Sequence, residues 1–220
     1  MLTPERITQL PEASEIEEGY YLLLDSPTLG TRKFAAENLK PETDLYRWDF
    51  TKSLVDEVQG VEAILSGTAS RTNEGIFFNS INGSLKLLDS FENGYTLEIQ
   101  FGNINFKGSS SFYYLIRWPA NDSYGFVYYG QRQEYFVRQK GYGDRGAISQ
   151  SGANVFSNKT LKFIFTSLND LKIFIDDSQV YSGYSFIRNN DNSTLIINGT
   201  NYSLYDSVIK KIRIYANEEG

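Results

Sequence analysis

The chain has 220 residues, enough for one sizeable hydrophobic core or for a modest domain with a small appendage. Its net charge of −6 argues against a phosphate-tracking nucleic-acid binder, which needs clustered Lys and Arg to release counterions. With neither Cys nor His, it has no disulfides, no thiolate, Ser-His-Asp or Cys-His catalysis and none of the commonest zinc sites, which leaves carboxylate chemistry or none.

Composition sets the expected class. The 16 Tyr, 15 Phe and 18 Gly against 5 Pro favour strands and turns over helices, so the chain reads as all-β. Residues 1–20, MLTPERITQLPEASEIEEGY, lack a basic region followed by an apolar run and a small-residue cleavage site, so no secretory leader is expected there. No apolar run approaches the roughly 20 residues that cross a bilayer, and no membrane insertion is expected. Glu12, Glu15, Glu17 and Glu18 read as a solvated, extended lead.

Tyr20 to Asp25 is a compact apolar run, Ser26-Pro-Thr-Leu-Gly30 a turn, and Thr31 to Phe34 a returning strand. A lone two-stranded hairpin has nothing to bury its apolar face against. Tyr20, Tyr21, Leu22, Leu23, Leu24 and Phe34 therefore need a partner: the following domain, a symmetry mate or another protein. Composition shifts near Lys40-Pro-Glu-Thr-Asp44, which divides the chain into residues 1–43, an anchoring or oligomerisation module, and residues 44–220.

Beyond the boundary, aromatic runs alternate with Gly, Asn and Ser clusters. Leu45 to Phe50, Val61 to Leu65, Gly75 to Phe78, Ser84 to Leu88 and Tyr95 to Phe101 read as strands, with a turn over Val55 to Gly60. Phe112 to Trp118, Tyr124 to Tyr129 and Glu134 to Arg138 follow, then Leu161 to Phe165, Asp170 to Asp176 and Val208 to Tyr215. About a dozen short strands suit a two-sheet antiparallel sandwich. The Asn-x-Ser/Thr sequons at Asn82, Asn121, Asn158, Asn192, Asn198 and Asn201 read as Asn-rich turns rather than glycan sites.

Two resemblances attach to these residues. Ile7 to Leu10, Gly19 to Asp25, Gly30 to Phe34 and Asn38-Leu39 resemble a short N-terminal module of phage tail and head appendage proteins, which implies a virion-anchoring role. Tyr46 to Phe50 with Asp56 and Gly60, the hairpin Lys172 to Tyr181, and Leu195 to Gly199 followed by Ser207 to Tyr215 resemble the concanavalin A-like jelly roll in its laminin-G and pentraxin-like branch. That resemblance makes Ser207 to Tyr215 a closing strand at the sheet edge beside the first strand, paired with Leu195 to Gly199.

The fold that this resembles includes polysaccharide hydrolases, which need two carboxylates about 5 Å apart in the retaining case. The strand in the corresponding position offers Glu98, then Gln100 and Gly102, a single ionisable group, so no enzyme is expected. Asp176 and Asp177 belong to a turn. No cofactor is expected; the alternative is a calcium ion held by loop carboxylates such as Asp122, Asp144, Asp191 or Asp206, which form no dense Asp-x-Asp run.

Sugars are held by aromatic rings against their C–H faces, with amides, guanidinium groups and carboxylates on the hydroxyls. Two loops carry those residue types: Arg117, Trp118, Asn121, Asp122 and Tyr124 in one, Tyr142 and Asp144 in the other. Strict alternation puts Phe112, Tyr114, Ile116 and Trp118 on one face and Tyr113, Leu115 and Arg117 on the other, where Tyr128 or Tyr129 and Arg138 complete a groove floor. Trp48 reads as core.

The resulting expectation is a phage virion appendage, a tail or head fibre. It is made in the bacterial cytoplasm, anchored to other virion proteins by its N-terminal module, and presents a lectin-like domain to bacterial surface glycans. The resemblance implies a homotrimer. The rival readings are a purely structural capsid or tail decoration, a polysaccharide hydrolase, and a secreted lectin.

Overall fold

The computed structural model describes residues 44–79, 83–91, 94–106, 112–118, 124–139, 143–152, 154–166, 170–185, 193–198 and 204–217, together with strand backbone at 21–24 and 32–35. Two compact units result, Met1–Thr43 and Asp44–Gly220. In the first, β1 (Tyr21–Leu24) pairs antiparallel with β2 (Arg32–Ala35), Leu22 opposite Phe34 and Leu24 opposite Arg32. Tyr20 lies outside the described residues.

In the second unit the strands run in order: β3 (Asp44–Asp49), β4 (Ile64–Ser66), β5 (Ala69–Thr72), β6 (Gly75–Phe78), β7 (Ser84–Phe91) and β8 (Tyr95–Phe101). Then follow β9 (Phe112–Trp118), β10 (Tyr124–Tyr129), β11 (Glu134–Gln139), β12 (Gly143–Ser151) and β13 (Thr160–Phe165). The chain closes with β14 (Asp170–Ile175), β15 (Ser178–Tyr184), β16 (Ser193–Ile197) and β17 (Ser207–Ala216). One sheet has the order β12-β11-β10-β9-β16-β7-β4 and the other β15-β14-β13-β8-β17-β6-β5, with β3 also on β17. All pairings are antiparallel.

Alternation builds the core. In β13 every second residue is buried, Leu161, Phe163 and Phe165, and β14 repeats the pattern with Leu171, Ile173 and Ile175. Their inward side chains meet those of the other sheet, and the aromatic centre is Phe126, Tyr135, Phe156 and Phe163, with Phe126 edge-on to Phe163 at 5.2 Å and Tyr135 4.4 Å from Phe156. Trp48 is fully buried, stacked on Tyr46 at 5.5 Å, and its Nε1–H donates to the Val61 carbonyl at 3.1 Å.

The opening turn is tied down by one carboxylate. Asp56 is buried and accepts from the Arg47 amide through Oδ1 and from the Gln59 amide at 2.5 Å through Oδ2. Gly60, at φ +73, closes the turn by donating to the Asp56 carbonyl.

Two expectations change here. β17 is interior, not an edge strand: β8 lies along one side of it, and β6 and β3 share the other. Nor do β16 and β17 pair, since β16 inserts between β9 and β7 in the opposite sheet. The β14–β15 turn is Asp176-Asp177, as expected, with Asp176 at φ 51 and Ser178 beginning β15. Asp tolerates that left-handed conformation, and here its carboxylate also accepts from the Thr160 amide at 3.0 Å.

Among the sequons, Asn158 and Asn198 sit at φ 58 and 52, as turn residues do. Asn198 is fully buried, with its amide donating to the Gly83 carbonyl at 2.6 Å and its carbonyl accepting from the Leu204 amide. On the side where β12 and β15 end the two sheets, a Cβ on Gly146 would stand 2.9 Å from the Tyr181 ring; the missing side chain lets that ring fill the corner.

Asp49 joins β3, β17 and the following turn. It accepts from the Thr51 hydroxyl at 2.6 Å and pairs with Lys52 at 3.1 Å and Lys211 at 3.3 Å. Burial pushes this carboxyl up, but the bonds from Thr51, Lys52 and Lys211 outweigh it and hold it at about 2. Because the folded value lies below the unfolded one, the stabilisation is full above 3.8 and is lost as pH falls toward about 2. Asp49→Asn is therefore expected to lower unfolding free energy at neutral pH by about 2 kcal/mol, with the gap to the parent narrowing as pH falls through that window. Urea unfolding across a pH series measures this; a gap constant with pH contradicts it.

Candidate functional site

The sequence-selected residues gather only in part. Arg117 and Trp118 close β9, Tyr124 opens β10, and Trp118 stands directly opposite Tyr124 in the ladder. Asp144 belongs to β12, not to a loop, and stands opposite Arg138 of β11. Pairing with β11 imposes strand on Gly143-Asp-Arg-Gly146, which has little strand propensity of its own. Asn121, Asp122 and Tyr142 lie outside the described residues.

A bulge overturns the expected faces of β9. Phe126 is opposite Ile116 but Val127 is opposite Tyr114, so β9 carries one extra residue, Leu115, whose carbonyl accepts from the Asn198 amide at 3.1 Å. Alternation shifts by one at that point. Tyr113, Leu115 and Ile116 all join the core, whereas Arg117 falls on the outward side with Tyr114. Tyr128, expected on a groove floor, is core too: it stacks on Phe106 at 4.7 Å. Positions 117 and 118, adjacent on one strand, belong to different faces.

The outward face of this sheet has a register that local sequence does not reveal. Arg138 is opposite Gly125, Gly125 opposite Arg117, Arg117 opposite Ile196, Ile196 opposite Lys86, and Lys86 opposite Ile64. Directly opposed residues share a face, so this is one row perpendicular to the strands. Its cations recur at every second strand, a spacing of roughly 10 Å. Lys86 pairs with Asp89, which is 91% exposed. Arg117 is only 7% exposed, and its Nε–H has no hydrogen-bond acceptor among the described residues. Between Arg138 and Arg117 the row carries no side chain, because Gly125, at φ +143, lies so close to β9 that a Cβ would stand 2.0 Å from the Ile116 carbonyl oxygen.

Two clefts were not foreseen. One, of about 270 Å³, is lined by Tyr46, Gln59, Phe91, Tyr95 and Ile214 among others; the second, of about 260 Å³, by Tyr46, Glu62, Ile64, Lys86 and Asp89. Tyr46 and Leu88 wall both. The first has three rings in its lining, the second has both charge signs on its rim, and Ile64 and Lys86 make it the terminus of the outward row. Their lining residues come from chain segments far apart in sequence, which is why no motif announces them.

Glu98 faces outward from the other sheet within a charged cluster. Its Oε1 accepts from the Tyr215 hydroxyl at 2.8 Å and pairs with Lys162 at 2.7 Å, and Arg213 lies 3.9 Å from Oε2. Burial pulls the Lys162 ammonium down, but bonds to Glu98 and Tyr215 outweigh it and hold it at about 12; burial and the bond to Glu98 push the Tyr215 hydroxyl to about 12. Among the described residues no group of three acidic side chains gathers as a metal site would require. Asp206 is a turn residue at φ 48, while Asp122 and Asp191 lie outside the described residues.

No protein-family model matches the chain, and no curated protein does. Solved structures do. The binding domain of botulinum neurotoxin serotype D superposes with a TM-score of 0.58 over 81% of this chain and 49% of that one, at 13% identity. A botulinum neurotoxin type C structure gives 0.59 over 84% and 50%, at 12% identity. Domain 4 of AbnA, an extracellular arabinanase from Geobacillus stearothermophilus, gives 0.50 over 81% and 94%, at 15% identity. The fold is an antiparallel jelly-roll sandwich. The chain spans about half the length of the neurotoxin domains it matches.

Gly125 and Gly60 give a paired test of what lets β10 approach β9 so closely. Gly125→Ala forces a Cβ into the Ile116 carbonyl and is expected to cost at least about 2 kcal/mol. Gly60→Ala, with nothing within 4 Å of its Cβ, meets backbone strain alone and is expected to cost about 1 kcal/mol. Equal shifts in denaturant midpoint would show that close approach of β10 to β9 is not what requires glycine.

Proposed function

We propose that the chain is a non-enzymatic, glycan-binding module of a phage virion appendage. The second unit meets bacterial surface polysaccharide, and the β1–β2 hairpin, with Tyr21 to Leu24 and Phe34, docks on other virion proteins in a homotrimer. The observation that carries the binding reading is the pair of clefts on either side of Tyr46. Rings of Tyr46, Phe91 and Tyr95 suit the C–H face of a sugar, and Gln59, Glu62, Lys86 and Asp89 suit its hydroxyls. Stacking on Trp48 holds the shared ring in place before ligand arrives.

Two of the similar folds support the choice of ligand. The arabinanase domain was solved in complex with arabinotriose, and cell entry of the type C neurotoxin depends on interaction with two ganglioside molecules. A binding rather than hydrolytic role is supported by Glu98, whose Oε1 is engaged by both Tyr215 and Lys162. Trimeric display would multiply weak affinities through effective concentration.

The test is binding of the full chain to intact bacteria and their extracted polysaccharides, with Tyr95→Ala and Trp118→Ala alongside. Saturable binding about tenfold weaker in Tyr95→Ala, a loss of about 1.4 kcal/mol, and no release of reducing ends are expected. Loss in Trp118→Ala alone would move the site to the ends of β9 and β10. No binding by the full chain would leave a structural decoration.

A further inference from the structure

We infer that the glycan is read through an N-acetylated sugar, whose acetamido group enters the cleft of about 270 Å³ lined by Tyr46, Gln59 and Tyr95. There its N–H donates to Oε1 of Gln59 and its methyl lies against the rings. The inference rests on the glycan-binding reading above and names the sugar class and the residue that selects it.

Three observations carry it. First, Gln59 is held in place twice over. Its backbone N–H donates to Oδ2 of the buried Asp56 at 2.5 Å, and its side-chain Nε2 donates to the Leu45 carbonyl of β3 at 2.8 Å. A carbonyl oxygen can only accept, so nitrogen is the end of the amide turned to Leu45. Oε1 is left as an acceptor with no donor on it among the described residues, on a side chain that lines the cleft. A ligand N–H thus meets an acceptor that is already ordered, which lowers the entropy cost of binding.

Second, the cleft is apolar around that one amide. The rest of its lining among the described residues is Leu45, Tyr46, Leu88, Phe91, Tyr95 and Ile214, with no carboxylate, ammonium or guanidinium group. The rings are backed from behind: Tyr46 stacks on Trp48 at 5.5 Å, and Phe91 stands edge-on to Phe165 at 5.3 Å. A charged substituent would lose water here and find no counter-charge, and a ring bearing only hydroxyls would bury more donors than the lining can satisfy. An acetamido group brings one N–H for the one amide acceptor and a methyl for the apolar walls. Its carbonyl oxygen stays hydrated at the mouth, where Gln59 itself is exposed.

Third, the neighbouring cleft is different in kind. It has about 260 Å³, shares the Tyr46 and Leu88 walls, and carries Glu62, Lys86 and Asp89. Each space falls below the roughly 300 Å³ at which drug-sized pockets begin, which suits one sugar apiece. A glycan seated across the shared wall therefore divides by chemistry, with the acetamido group on the uncharged side and a hydroxyl-rich sugar on the charged side.

The experiment titrates the full chain with N-acetylglucosamine, N-acetylgalactosamine and N-acetylmannosamine against glucose, galactose and mannose, followed by saturation-transfer NMR. Glucosamine supplies the nitrogen without the acetyl group, and chitohexaose against cellohexaose repeats the comparison in longer chains. At least one N-acetyl sugar is expected to bind about tenfold more tightly than its parent, with its acetyl methyl the most strongly saturated group. Gln59→Ala, a change at an exposed position, is expected to cut that preference to about threefold or less. The methyl signal is read on the unaltered protein, so it tests the placement whatever the variant does to folding. The absence of any such preference, or equal binding of glucosamine and N-acetylglucosamine, while a bacterial polysaccharide still binds, overturns the N-acetyl assignment and leaves the glycan reading standing. A preference undiminished in Gln59→Ala, or a methyl no more saturated than the ring protons, overturns the placement at Gln59. Binding to none of these sugars, nor to any bacterial polysaccharide, overturns both readings.

Discussion

The ladder along β17 holds the second unit together. Ten residues from the far end of the chain lie between β8 on one side and β6 with β3 on the other, so the first and last strands of the unit pair directly. The Asp49–Lys211 contact, the Arg213–Asp44 pair and the Ile214 wall of the aromatic cleft all exist only once β17 is in place. Such pairing between distant segments closes a long loop before it gains any contact, so the unit is built on slow, non-local steps.

The two outward faces differ in how their charges are treated. On the sheet that contains β17, Glu57, Arg47, Asp44, Arg213, Glu98 and Lys162 form a continuous relay of opposite charges across four strands. That face is internally neutralised. On the other sheet the cations fall in a row whose central member, Arg117, has no such partner among the described residues.

Much of the fold was legible because it is local. Alternation in β13, β14 and β17, the β1–β2 hairpin and the Asp56–Gly60 turn each declare themselves within a dozen residues. What was hidden depends on register. One extra residue at Leu115 reverses the faces of β9, and nothing in Tyr-Tyr-Leu-Ile-Arg marks it. Asp144 looked like a loop residue because Gly and Asp disfavour strands, yet pairing with β11 decides the matter. The row from Arg138 to Ile64 draws on six strands, and the clefts draw on residues as distant as Leu45 and Ile214; neither leaves a spacing that a linear reading can find.

The corner filled by Tyr181 sets the two margins of the sandwich apart. Where Gly146 admits that ring, the terminal strands β12 and β15 of the two sheets are brought together. At the opposite margin β4 and β5 each end a sheet, with Ile64 57% exposed beside them. One margin is thus filled from sheet to sheet by a ring, while the other holds an apolar side chain out in solvent.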